Sequence, residues 1–228
     1  MSIDLSGRTV LVTGASIGIG RAVALQFAAA GCRLALTCFE HRTEAEDVAQ
    51  RCRGLGAPEV ITVSLQLADD DSIRTLFETV IDRFGRLDML VNNAGVVVWK
   101  PFLDQDFGEI ENQLAVDLMG VMKMTWVFLP MVSHAIINVG SSASLHGTAT
   151  LAPYCAAKWG VRGFTKALAL EHPDKRIVCV HPGRTATRMN DMQGMPPERV
   201  AEVVLQVARG DIEVEPGGDV DVREYADA

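Results

Sequence analysis

Apolar runs alternate along the chain with amphipathic segments. The runs at 9–14 (TVLVTG), 33–39 (RLALTCF), 60–65 (VITVSL), 87–91, 135–140 (AIINVG) and 176–180 (RIVCV) carry little polar alternation, the pattern of strands covered on both faces. Between them lie helical segments at 20–30, 42–53, 71–84, 105–132, 153–170 and 197–208. Ile73, Leu76, Phe77, Val80 and Ile81 repeat at helical spacing, and Gly31 and Gly54 stand as helix stops. Strand–helix alternation of this kind predicts an α/β fold, a doubly wound parallel sheet of six or seven strands with right-handed crossovers and helices on both faces. No repeat, low-complexity tract or linker interrupts it, so 1–228 reads as a single domain. The acidic, glycine-rich segment 211–228 is expected to add a short edge strand and a loose end.

Composition narrows the functional classes. A chain of 228 residues, 48% hydrophobic and 6% aromatic, suits one domain with an aliphatic core. A net charge of −8, spread along the sequence, argues against nucleic acid as a partner. The five cysteines form no CxxC pair, which speaks against a metal site or a disulfide framework and fits a cytoplasmic protein with reduced thiols. MSIDLSGR has no secretory-leader character, and no apolar run approaches the roughly 20 residues a membrane-spanning helix needs.

The first strand runs into Thr13-Gly14-Ala15-Ser16-Ile17-Gly18-Ile19-Gly20. Gly14 allows a sharp turn, Gly18 lets backbone approach a pyrophosphate, and Gly20 lets helix and strand pack closely. The helix start offers unpaired N–H groups and a positive dipole to phosphates. A strand–glycine turn–helix unit at the head of a strand–helix repeat therefore predicts dinucleotide binding. Three further motifs follow in order: Asn92-Asn93-Ala94-Gly95, then Tyr154-Cys155-Ala156-Ala157-Lys158 with Ser141 thirteen residues upstream, then Pro182-Gly183 with Thr187 beyond.

Together these motifs, covering about residues 5 to 190, resemble those of the classical short-chain dehydrogenases/reductases. The resemblance implies a Rossmann-like domain and a soluble NAD(P)-dependent oxidoreductase. It places Thr13, Gly14, Ser16, Ile17, Gly18, Ile19, Gly20, Asn93, Ala94, Gly95, Tyr154, Lys158, Pro182, Gly183, Thr185 and Thr187 at the cofactor. It makes Tyr154 the acid/base, Lys158 its partner and a ligand of the nicotinamide ribose, and Ser141 the group that holds the substrate oxygen. Independently of the resemblance, Tyr154 and Lys158 lie one helical turn apart, and a neighbouring ammonium, together with the positive charge of an oxidised nicotinamide, favours a phenolate that is otherwise scarce below about pH 10.

Two departures stand out. Asp117, in Val116-Asp117-Leu118-Met119-Gly120, replaces the Asn that members of the family carry in the long helix, where a backbone kink and a water link the lysine to solvent. It is expected to keep a proton-relay role with a shifted pH optimum; a solvated helix aspartate is the alternative. Gln66-Leu67 stands where relatives have an Asp pair member beside the adenine, a change the amide can tolerate.

Cys38 replaces the acidic residue that NAD-preferring members carry after the second strand. With His41 and Arg42 following, this favours NADP, although Ile17 in the glycine turn and Glu40 leave NAD as the alternative. The substrate side is apolar: Val96, Val97, Val98 and Trp99 follow the NNAG motif, and Met189, Met192 and Met195 populate the substrate loop that begins at Arg188. His146 reads as a pocket-edge or surface residue. Association through the long helix and the tyrosine-bearing helix is implied, with a homodimer favoured over a tetramer. The leading expectation is a carbonyl reductase or alcohol dehydrogenase acting on a small carbonyl or alcohol. A catalytically weak NAD(P)-sensing protein on the same fold is the alternative.

Overall fold

Val10 and Val12 pack into one hydrophobic cluster while Leu11, between them, packs into another, and all three are fully buried. That alternation shows a strand covered on both faces, and it sets the architecture. The computed structural model describes residues 2–225. The strands are β1 Thr9–Val12, β2 Arg33–Cys38, β3 Val60–Ser64, β4 Leu87–Asn92, β5 Val132–Val139, β6 Arg176–His181 and β7 Asp219–Asp221. They form one sheet in the order β3-β2-β1-β4-β5-β6-β7, every pairing parallel.

The helices are α1 Gly18–Ala29, α2 Arg42–Gly54, α3 Asp70–Phe84, α4 Phe107–Leu114, α5 Val121–Phe128, α6 Ala152–Glu171 and α7 Pro197–Arg209. Helices α1, α2 and α7 cover one face of the sheet, where Phe27, Val48 and Val204 pack together. Helices α3, α5 and α6 cover the other, around Leu76, Phe128 and Leu168.

Local chemistry explains the ends of the helices. The Asp69 carboxylate accepts from the N–H groups of Asp71 and Ser72 and starts α3, a cap worth about 1 kcal/mol. Gly85 ends the same helix in the left-handed region, at φ +73°. The stop expected at Gly54 falls slightly later: α2 includes Gly54, and the left-handed residue is Gly56, at φ +106°.

The long helix expected over 105–132 is neither uniform nor so long. It begins at a capping box formed by Asp106 and Glu109, widens into a π-helical turn at Ala115–Gly120, and ends at Phe128. Pro130 has no N–H for a further turn, and β5 starts at Val132 instead. The expected short edge strand is β7, parallel to β6. The loose end expected there reaches into 226–228, which lie outside the described residues.

Candidate active site

The sheet order reverses between β1 and β4, and a cavity of about 440 Å³ opens at the carboxyl ends of these strands. Parallel α/β sheets bind ligands at such a switch point. Asn93 and Ala94 line the cavity, and Thr13, expected there, does not line it but anchors them both. The Thr13 hydroxyl accepts from the N–H groups of Asn93 and Ala94 at 2.9 and 3.0 Å. The Asn93 amide donates to the carbonyls of Thr13 and Gly14 at 2.8 and 3.2 Å. The NNAG motif therefore acts as a latch that ties β4 to the glycine turn. Asn92 points away from it and bonds Asn138 and Thr125 in the core.

Ser16, Ile17, Gly18, Ile19 and Gly20 line the cavity as expected, with Gly14, Ala94 and Gly95. Gly14 sits at φ +64°, and a Cβ there would stand 2.9 Å from Ala94 Cα. A Cβ on Gly20 would overlap the Gly14 carbonyl oxygen. Helix α1 opens into the cavity with no side-chain cap and no acidic residue in its first turn. Close backbone, free N–H groups and an unopposed dipole fit the pyrophosphate of a dinucleotide.

At the other end of the cavity, α6 presents Tyr154 and Lys158, one turn apart and 9% and 4% exposed. The Lys158 ammonium lies 3.4 Å from the Asp117 carboxylate and 3.3 Å from the Val139 carbonyl. It also stands 5.5 Å from the centre of the Tyr154 ring. Asp117 sits in the π-helical turn, fully buried, and accepts from the Val96 N–H at 3.2 Å. A Cβ on Gly95 would overlap the same carboxylate, so Gly95 makes room for it.

Burial raises the Asp117 pKa to about 6, with Lys158 and the Val96 N–H opposing. Burial also raises the Tyr154 pKa, opposed chiefly by Lys158 and assisted by Asp117. Lys158 is held above its ordinary value: burial works against its charge, but Asp117 and Tyr154 outweigh it. The protein's own groups thus keep the phenol protonated and the ammonium charged, a pair arranged to deliver a proton. The expected lowering of the tyrosine pKa does not arise from Lys158 alone, because dehydration of a buried phenolate is the larger effect.

Ser141 lies on the turn after β5 and acts as a hydrogen-bond partner of Tyr154. Its hydroxyl accepts from the Ala143 N–H at 3.1 Å, and its own N–H donates to the Ser144 hydroxyl at 3.0 Å. The remaining sequence candidates sort by position. His41, Gln66, Leu67 and Thr187 line the cavity. Arg42 does not: it is exposed at the start of α2, outside the cavity wall. Pro182, Gly183 and Thr185 support the loop after β6 rather than line the cavity, with Pro182 accepting from Ser142 N–H and Thr185 donating to the Gly183 carbonyl. His146 is exposed and lies off the cavity.

Arg188 supplies the cation that Arg42 does not. It lines the cavity and reaches Glu44 of α2 at 3.5 Å, while His41 lies 3.8 Å from the same carboxylate. Sequence reading assigns Arg188 only to the substrate loop, because 146 residues separate it from Arg42, α2's first basic residue. Asn112 of α4 also lines the cavity and is not marked by any sequence motif; it lies one turn before Val116, which faces the same space.

A dinucleotide cradle at a sheet switch point, joined to a buried Tyr–Lys pair, defines a nicotinamide-dependent oxidoreductase fold. The chain belongs to the short-chain dehydrogenase/reductase family, whose profile matches residues 8–196. It is 36% identical over 193 residues to a 3-oxoacyl-[acyl-carrier-protein] reductase of Synechocystis sp., a match spanning 82% of this chain and 78% of that protein. It is 33% identical over 187 residues to 11-beta-hydroxysteroid dehydrogenase A of Sesamum indicum, covering 80% of this chain and 53% of that longer protein. Among solved structures, a short chain dehydrogenase from Burkholderia cenocepacia in complex with NADP superposes with a TM-score of 0.90 at 28% identity, covering 96% of this chain and 97% of that one. The protein is accordingly an enzyme of the short-chain type. Among the described residues, no helix is long and apolar enough to cross a membrane.

Proposed function

We propose that the protein is an NADP(H)-dependent carbonyl reductase, able to run in reverse as an alcohol dehydrogenase, acting on a small ketone or secondary alcohol. NAD(H) is the alternative cofactor. The observation that carries this reading is the shared cavity. The glycine cradle and the uncapped start of α1 lie at one end, and the buried Tyr154–Lys158 pair at the other.

When bound, the nicotinamide supplies or accepts the hydride. Backbone N–H groups at the start of α1, with Thr187 and Asn93 behind them, are the groups that would hold the phosphates. Lys158 would hold the nicotinamide ribose. In the reductive direction the Ser141 hydroxyl orients the substrate oxygen, and the Tyr154 hydroxyl gives it a proton as negative charge develops there. Lys158 stabilises the phenolate left behind, and Asp117 keeps Lys158 charged. In the oxidative direction the same phenolate takes the proton back.

Three features support NADP(H). Cys38 removes the carboxylate that would meet the adenosine ribose, Arg188 brings a positive group to that end, and the Burkholderia cenocepacia relative holds NADP. An apolar substrate is supported by Val97, Leu151 and Cys155, which pack around Tyr154. The Trp99 indole donates at 3.2 Å to the backbone carbonyl of Met189, which lines the cavity. A single cofactor-binding domain, a homodimer and a cytoplasmic location complete the proposal. The exposed face of Met119, Met122 and Trp126 supports the dimer, and five free, buried cysteines support the location.

Fluorescence titration with NADPH and NADH, followed by a panel of ketones read by loss of cofactor absorbance, tests the reading. NADPH is expected to bind about tenfold more tightly than NADH, a difference of about 1.4 kcal/mol. Tyr154→Phe should bind NADPH as wild type does while turnover falls by about 10²–10⁴-fold. Tight binding with no turnover across the panel would instead identify a cofactor sensor.

A further inference from the structure

His181 ends β6, is fully buried, and is not part of the cavity wall. Its two ring nitrogens face two acceptors. Nε2 lies 2.9 Å from the Asp219 carboxylate on β7, and Nδ1 lies 3.2 Å from the backbone carbonyl of Ser141. A neutral imidazole has one N–H for these two acceptors, whereas the imidazolium serves both. The ring also buttresses the strand end that carries the serine: a Cβ on Gly140 would stand 2.6 Å from His181 Nδ1 and 2.9 Å from Cys179 Sγ.

Asp219 is itself firmly placed. Arg162 of α6 donates to it through Nε and Nη2 at 3.0 and 2.8 Å, and Lys166 of α6 lies 2.9 Å away. Burial works against the charge, but these donors and His181 hold the Asp219 carboxyl far below the usual range. Arg162 also reaches the Ser144 carbonyl at 3.4 Å, on the same turn as Ser141. The groups facing His181 are therefore Asp219 from β7, Arg162 from α6 and Cys179 from its own strand, with Lys166 behind Asp219. Burial lowers the ring's proton affinity, and Asp219 and the Ser141 carbonyl oppose that.

We infer that His181, anchored by Asp219, is a positioning residue for Ser141. It ties the turn that presents the serine hydroxyl to the edge strand β7 and, through Arg162, to the helix that carries Tyr154 and Lys158. The inference rests on the carbonyl reductase reading for what Ser141 does. It predicts that the serine's placement, and not cofactor binding, depends on this ring.

The test compares His181→Leu, His181→Gln and Asp219→Ala in the full chain. Each is measured for kcat, KM, NADPH affinity and backbone hydrogen exchange over 140–146. In His181→Leu, kcat should fall about tenfold, NADPH affinity should stay within about twofold, and the 140–146 amides should exchange faster. Glutamine keeps an N–H at the Nε2 position for Asp219 but offers none to the Ser141 carbonyl, so His181→Gln should fall between His181→Leu and wild type in kcat. If His181→Leu does not fold, Asp219→Ala, at a partly exposed site, should give the same split. Wild-type kcat and exchange in the leucine variant, or in Asp219→Ala where leucine does not fold, would overturn the inference, as would a glutamine variant as impaired as the leucine one. Exchange does not need turnover. A wild-type protein inactive on every ketone, yet with the 140–146 amides loosened by His181→Leu, would overturn the reductase reading and leave the positioning role standing.

Discussion

A carboxylate buried beside Lys158 changes what the catalytic pair does with a proton. Burial raises the Asp117 pKa to about 6, opposing its charge more strongly than Lys158 favours it. Above that pH it is ionised and pairs with the ammonium; below it the carboxyl is neutral and Lys158 loses its counter-charge. The rate should therefore fall as the pH drops through about 6. In Asp117→Asn no group titrates at that position, so the acidic limb of the kcat/KM profile should flatten. An unchanged limb would show that Asp117 does not govern the proton path. The substitution is plain in the sequence, as an acid within Val116-Asp117-Leu118-Met119-Gly120. Its 3.4 Å contact with Lys158 is not, because it depends on how a widened turn meets α6 across 41 residues of chain.

At the scale of elements, legibility follows the number of neighbours that decide a conformation. Strands β1, β2, β4, β5 and β6 are readable because burial on both faces leaves an apolar run with few competing patterns. The glycine turn is readable because its conformation is set by its own residues. Gly20 shows why: a side chain there would meet the Gly14 carbonyl oxygen and the Asn93 amide, neither free to retreat while Asn93 latches the turn. Gly20→Ala should weaken NADPH binding by about tenfold or more in the fluorescence titration, with the turn opened and the strands intact. The π-helical turn is readable only as the kink that the family resemblance implies at Val116–Gly120, since no residue type marks it and the long helix otherwise looks continuous in sequence. The end of that helix is misread for a simpler reason: apolar residues continue past Pro130 because they belong to β5. The His181–Asp219 contact joins residues 38 apart and leaves no periodic trace.

On the scale of the whole molecule, the parallel sheet gathers every functional group at one edge, and the opposite surface of α5 is free for association. Met119, Met122 and Trp126, 46%, 36% and 80% exposed, share one side of the helix. Sedimentation should find a dimer, and the paired change Met122→Glu and Trp126→Glu should convert it to monomer, because two buried like charges at an interface have no partner. A wild-type monomer at micromolar concentration would rule the dimer out. The widened turn at Ala115–Gly120 carries a consequence of a different kind. Removing one residue from it would restore a regular spiral and leave α5 facing as it does now, because a widened turn absorbs one extra residue without turning the segments on either side. Met124 and Phe128 would keep their places in the core. Such a deletion would therefore spare the packing of α5 against the sheet while abolishing the bulge that holds Asp117 against Lys158.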